Sequence, residues 1–215
     1  MPDIRKTGFL DDFQRPDEDP LSWDGRWKYL FWNGLSNLAL GGNVCSSANA
    51  FVNSTASSYW SPATFTGDVE CWGLTTGSND LTEGLDLFLH ITGTVGQGID
   101  AVNGYRLRWL DPIGDANFTI SRFDGGGRTD LHTEIGDLAT VEGAMLFRRT
   151  GDTLQGYAAN SHTDPDFQLV IETSDSTYST GFLGLGTAQD DDNPGWAGFG
   201  GGAIRRTQIY RYVSN

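Results

Sequence analysis

Apolar and polar residues alternate with a period of two along much of this chain. Tyr105, Leu107 and Trp109 are separated by Arg106 and Arg108, so an extended backbone turns the three apolar side chains inward and both arginines outward. Leu85 to Thr92 repeats the pattern with apolar residues at 85, 87, 89 and 91, which turns His90 outward. Asn117 to Phe123 sets Phe118, Ile120 and Arg122 against Thr119, Ser121 and Phe123. Asp68 to Thr75 sets Val69, Cys71, Gly73 and Thr75 against Glu70, Trp72 and Leu74. Ala144–Thr150 and Thr153–Asn160 flank Gly151-Asp152 and predict a hairpin around that pair. Further strands are predicted over Trp27–Trp32, Asn37–Leu40, Ala50–Asn53, Asp166–Thr173, Gly181–Gly186 and Ala203–Val213.

No window carries a sustained i, i+3, i+4, i+7 stripe, so helix is not expected. About a dozen strands at intervals of roughly 10–15 residues predict an all-β sandwich or barrel. Residues 9–15 also have strand character, and pairing them with 203–213 would protect two edges from aggregation. A chain of 215 residues suits one domain of this class. The expected division is a polar N-terminal arm over 1–8, free to order against neighbouring subunits, and a sandwich over 9–215.

Composition supports many turns: the chain has 29 glycines but 7 prolines, too few for a disordered Pro/Gly tract. Aromatics at 12% help a core whose hydrophobic content is 38%. The formal net charge of −14 argues against nucleic acid and anionic membrane surfaces as partners. No run of about 18 or more apolar residues is long enough to span a bilayer. No apolar stretch of signal length precedes Asp11-Asp12, so export by a cleaved signal is not expected. That setting favours Cys45 and Cys71 as buried thiols, with a cross-strand bridge as the alternative.

Three stretches resemble a known family. Asp11-Asp12-Phe13-Gln14-Arg15 with Leu21-Ser22-Trp23 is similar to the opening of laminin G-like sandwiches in bacteriophage virion proteins. Gly104-Tyr105-Arg106-Leu107-Arg108-Trp109, followed by Phe118-Thr119-Ile120-Ser121-Arg122, resembles the hairpin in their middle. Leu146 to Tyr157, around Gly151-Asp152, resembles a hairpin of concanavalin A-like domains generally. The resemblance implies a two-sheet antiparallel jelly-roll sandwich with adjacent termini. It implies a non-enzymatic structural or binding protein of the virion, as a head decoration or tail-associated module. Its partners would be other virion proteins, in a homo-oligomer or multi-copy assembly. A carbohydrate-binding, lectin-like module that takes a host-surface or free glycan is the alternative, and a glycan-active enzyme is the second alternative.

Catalytic constellations are hard to find. Hydrolysis of a glycan needs two carboxyls close together on one face, yet Glu134 and Asp137 in Glu134-Ile135-Gly136-Asp137 fall on opposite faces of a strand, and Glu142 is further away. Asp111 and Asp115 flank a turn-like Pro112-Ile113-Gly114. His90, His132 and His162 lie in separate segments without metal-ligand spacing. Thr75-Thr76-Gly77-Ser78-Asn79 is only superficially similar to the G-x-S-x-G nucleophile elbow, which is absent. Asp124-Gly125-Gly126-Gly127-Arg128 predicts a hairpin tip rather than a phosphate loop.

The sharpest acidic run is Asp190-Asp191-Asp192-Asn193. Hard cations take oxygen ligands, so Asp190, Asp191 and Asp192 are candidate calcium ligands, with a solvated acidic connection as the alternative. No other cofactor is expected. Trp196 follows in a glycine-rich stretch and is expected in a loop, where its ring would stack on a sugar while Asn193 accepts hydroxyl hydrogens; capping the sandwich end is the alternative. Trp60, in Ser57-Ser58-Tyr59-Trp60-Ser61-Pro62, is the other expected loop aromatic. Trp23, Trp27, Trp32, Trp72 and Trp109 are core candidates.

Overall fold

Alternation of this kind is satisfied when each strand has one face against a second sheet, and that is the arrangement found. The computed structural model describes residues 9–30, 38–47, 54–76, 84–92, 102–110, 117–125, 127–136, 143–161, 166–189 and 195–203. Strands are numbered in chain order. One antiparallel sheet has eight strands, ordered β13 (Gln168–Ser174), β12 (Thr153–Ala159), β11 (Ala144–Thr150), β6 (Val69–Thr76), β15 (Gly195–Ala203), β4 (Val44–Ser47) and β3 (Leu38–Gly41). The eighth strand, β1 (Phe9–Asp11), also pairs with β15. The other sheet has seven, ordered β10 (Gly127–Ile135), β9 (Asn117–Asp124), β8 (Asn103–Leu110), β7 (Gly84–Thr92), β14 (Thr180–Gln189), β5 (Ser54–Thr66) and β2 (Trp27–Tyr29). The described residues contain no helix. The protein is an all-β, two-sheet antiparallel jelly-roll sandwich.

The core lies between the sheets. Leu85, Leu87 and Leu89 of β7, Tyr105, Leu107 and Trp109 of β8, and Phe118 and Ile120 of β9 enter it from the seven-stranded side. Val69 and Cys71 of β6, Met145 and Phe147 of β11, and Trp196 and Phe199 of β15 meet them from the other. Each large apolar side chain buried here contributes about 1.5–3 kcal/mol before conformational entropy is set against it. The predicted hairpin is present, with Thr150 opposite Thr153 across Gly151-Asp152. Cys45 and Cys71 are free buried thiols, and burial pushes both well above the ordinary thiol range.

The Asp-Asp-Phe opening joins the two sheets. Asp11 of β1 accepts hydrogen bonds from Trp27 Nε1 of β2 at 2.7 Å, from the Phe13 amide at 2.8 Å and from Arg15 at 2.6 Å. Burial raises the Asp11 carboxyl above its ordinary value, although all three donors favour the charged form. Arg15 also reaches Glu18, whose carboxylate accepts the amides of Ser22 and Trp23. The N-terminal strand is thereby fixed on β15, with Phe9 opposite Gly200. The predicted partner segment beyond Ala203 lies outside the described residues, as does the arm over 1–8.

Several strand predictions change. The aromatic strand from Trp27 ends at Tyr29, and Trp32 lies outside the described residues, as does Ala50–Asn53. β5 runs for 13 residues through a stretch expected to be partly loop, and β4 and β10 were not predicted. His90 does not turn outward. A bulge between β7 and β8 puts it at a positive φ of 54°, and its side chain is fully buried. After the bulge Ile91 joins Phe88 in a cluster on the far face of the sheet.

Candidate functional site

The face of the seven-stranded sheet that points away from the core collects the polar halves of the alternating strands. Register fixes which residues meet there: Arg108 of β8 lies between Asp86 of β7 and Thr119 of β9. Arg106 lies between Phe88 and Ser121, and Ser121 continues to Asp130 of β10. On β14 the face carries Gly184 and Gly186, opposite Phe88 and Asp86. Neither position accepts a side chain, because an added Cβ would lie 2.8 Å from the carbonyl of Ser58 or of Ala56. Phe88, Ile91, Phe123 and Tyr59 form an apolar cluster beside these glycines.

Asp86 is the electrostatic centre. Arg108 donates to both carboxylate oxygens, Nε to Oδ1 at 2.7 Å and Nη2 to Oδ2 at 2.6 Å, a bidentate fork. Arg106 approaches the same Oδ1 at 3.8 Å, with its guanidinium over the Phe123 ring at 5.3 Å. Burial alone would raise the Asp86 carboxyl, but Arg108 and Arg106 outweigh it and hold the group below its ordinary value. Burial, with Arg108 alongside, pulls the Arg106 guanidinium down to about 9.

Towards β10 the cluster opens to solvent. Ser121 Oγ donates to Asp130 at 2.7 Å, and Arg128 pairs with the other Asp130 oxygen at 3.0 Å. The hydroxyls of Thr119 and Thr133 are 3.2 Å apart on the same face. Exposure is 3% for the Asp86 side chain and 15% for Arg108, falls to nil at Ser121, and reaches 41% for Asp130 and 51% for Arg128 at the β10 edge. The strip therefore presents alternating fixed donors and acceptors, the chemistry a polyhydroxylated ligand needs. Held charged and gripped at both oxygens, Asp86 is suited to positioning Arg108.

The predicted site residues lie elsewhere. Trp196 is not in a loop: it belongs to β15 and is fully buried, with Nε1 donating to the Gly186 carbonyl at 3.0 Å. Gly73 of β6 makes room for the indole, because a Cβ at 73 would overlap its six-membered ring. Trp60 belongs to β5 and is buried against Trp27, with ring centroids 5.5 Å apart. Neither ring offers a free face to a sugar. Asp190, Asp191, Asp192 and Asn193 lie in the connection from β14 to β15, outside the described residues. Asp111, Asp115, Asp137, Glu142 and His162 also lie outside them. Glu134 is exposed on β10 and pairs with His132 at 2.9 Å. Among the described residues no three His, Cys, Asp or Glu side chains gather as a metal cage. Sequence reasoning gave the outward direction of Arg106 and Arg108 but missed Asp86 and Asp130, and the acid at 86 between two leucines was the available signal.

No protein-family model matches the chain, and no curated protein matches it in sequence. Solved structures do match. The VIP36 exoplasmic/lumenal domain in its Ca2+/Man2-bound form has a TM-score of 0.66 at 11% identity, covering 98% of this chain and 93% of that one. The carbohydrate-binding module CBM66 from Bacillus subtilis has a TM-score of 0.59 at 15% identity, covering 83% and 96%. The legume lectin-like domain from Entamoeba histolytica has a TM-score of 0.60 at 9% identity, covering 87% and 96%. These likenesses share the concanavalin A-like, legume lectin-like sandwich.

Proposed function

We propose that this protein is a non-catalytic, lectin-like carbohydrate-binding module whose ligand lies on the outer face of the seven-stranded sheet, along β8 to β10. The observation that carries the reading is the strip Asp86–Arg108–Thr119–Ser121–Asp130–Arg128, a series of fixed donors and acceptors, buried at Asp86 and Ser121, that ends in solvent at β10. The similar folds support it, since they are named for carbohydrate binding or seen with a mannose oligosaccharide. Sugar binding rather than a coat role is thus the leading reading. Display on a virion is a separate placement suggested by the sequence resemblance alone, and capsid or tail genes beside this one would test it.

Calcium belongs to the same proposal. The similar VIP36 domain was seen with calcium and sugar together, and Asp190, Asp191 and Asp192 supply oxygen ligands of the type a hard cation takes. A glycan array tests the reading: the wild-type chain should retain a defined subset of glycans, and a variant carrying Thr119→Ala and Asp130→Ala should lose them while still folding. Retention of no glycan, with or without calcium, would reject it.

A further inference from the structure

We propose that Arg26, seated on the half-buried ring of Trp23, anchors a second binding site, one that takes an oxyanion: the carboxylate, sulfate or phosphate group of a ligand. Its guanidinium lies 4.5 Å from the centre of the Trp23 ring, and the residue is exposed. Every other described arginine has a carboxylate oxygen within 3.8 Å, as expected in a chain with 28 acidic residues against 14 basic ones. Arg26 forms no ion pair among the described residues, although the exposed Asp24 is two positions away. Stacking on an aromatic ring uses the flat face of a guanidinium and leaves its N–H edge for an acceptor with two oxygens.

The turn that carries this pair is strained and held. Trp23, Asp24 and Gly25 take consecutive positive φ values of 43°, 55° and 79°, which glycine alone adopts freely. Such backbone persists where its surroundings fix it, and it concentrates at functional sites. Here the Glu18 carboxylate accepts the amides of Ser22 and Trp23, and Ser22 Oγ accepts the Gly25 amide at 3.1 Å. Ser61 Oγ of β5 donates to the Arg26 carbonyl at 2.8 Å, and Trp23 packs on Trp60 with ring centroids 5.6 Å apart. Arg15 lies over the Trp23 ring at 4.9 Å, but its donors are taken by Asp11 and Glu18. Lys28 adds a second exposed cation, with Nζ 3.6 Å from where a Cβ on Gly25 would stand. Within residues 23–28 two exposed cations therefore meet one exposed acid, Asp24. Mobile ions screen the more distant negative charge beyond about 8 Å at physiological salt.

The site is separate from the sugar-binding strip, because β2 and β10 are the opposite edges of the seven-stranded sheet, six strand spacings or roughly 29 Å apart. Solution NMR of the isotope-labelled full chain tests it, with acetate, inorganic sulfate and inorganic phosphate added in turn at constant ionic strength. The Arg26 Nε–H and Trp23 indole N–H signals should move saturably with at least one probe, with a dissociation constant of about 10 mM or lower. The probe that binds tightest identifies the oxyanion. R26Q should abolish the shifts while the signals of β7 and β8 stay in place. R26K should weaken binding roughly tenfold, since lysine keeps the charge and loses the fork, and K28Q should weaken it less. No saturable shift with any probe, or shifts that survive R26Q, or R26K binding as well as the wild-type chain, would each overturn the inference. The sugar-binding reading stands or falls separately, since no probe is a sugar.

Discussion

Both carboxylate oxygens of Asp86 are held by one guanidinium, that of Arg108 on the neighbouring strand, at 2.7 and 2.6 Å in a site closed to water. Two charges were taken out of water to make this contact, which is costly unless each is fully partnered. The pair therefore says more about what the sheet face must present than about stability. It pins Arg108 and, through register, sets where Thr119 stands beside it.

Removing the acid leaves Arg106 and Arg108 facing each other. Asp86→Ala should lower unfolding free energy by about 3–5 kcal/mol, the usual cost of stripping one partner from a buried ion pair. Urea denaturation reads it as a fall in midpoint at constant slope. A loss below about 1 kcal/mol would mean that the pair is solvated.

His90 gives the fold an acid-sensitive joint. Burial, followed by the nearby Arg149 charge, lowers its imidazole from 6.5 to about 4. Hydrogen bonding to the backbone of Phe65 and Gly67 offsets this only in part. The unfolded chain takes up this proton before the folded one does, so the contribution is complete above pH 6.5 and is lost as pH falls towards about 4. The full effect is about 3 kcal/mol. Melting curves across this window should show the fall, and His90→Asn, which tolerates the left-handed backbone, should flatten it. An unchanged profile in that variant would assign the acid sensitivity elsewhere.

The same residue marks where the sequence misleads. Alternation gave the inward set Tyr105, Leu107, Trp109 and the outward Arg106 and Arg108, because a regular strand has no other way to bury three large side chains. It failed at His90, since a bulge adds one residue and reverses every later side chain of the strand. β10 escaped notice for a different reason. Gly127 to Ile135 is an edge strand, polar at most positions and exposed for most of its length, and with Leu131 alone packed on the core it has no alternation to show. Asp130 was hidden with it. Trp196 was misplaced because glycines suggest loops, whereas in β15 they allow close approach: a Cβ at Gly201 would lie 2.6 Å from the Glu70 carbonyl.

The seat of Trp196 on Gly73 is directly testable. Gly73→Ala drives a methyl group into the indole ring and should cost about 1–3 kcal/mol as overpacking. Trp196→Ala leaves a cavity between the sheets and should cost about 3–5 kcal/mol. Both are measured by chemical denaturation. A Trp196→Ala protein of wild-type stability would place the indole outside the core.

Calcium binding by Asp190, Asp191 and Asp192 should appear in thermal melts. At about a hundredfold excess over its dissociation constant the ion would add about 2.7 kcal/mol by mass action. The melting temperature should rise with calcium relative to chelator, and the combined Asp191→Ala and Asp192→Ala variant should not respond. Equal curves for the wild-type protein would remove calcium from the account.

The central claim is that a sugar binds on the outer face of the seven-stranded sheet, and amide chemical-shift mapping by solution NMR addresses it most directly. An isotope-labelled chain would be titrated with the tightest glycan from the array. The largest shifts should fall on Arg108, Thr119, Ser121, Arg128 and Asp130, with β11 and β12 of the other sheet unmoved. Shifts centred on the eight-stranded sheet, or on the β14–β15 connection with the strip silent, would contradict it.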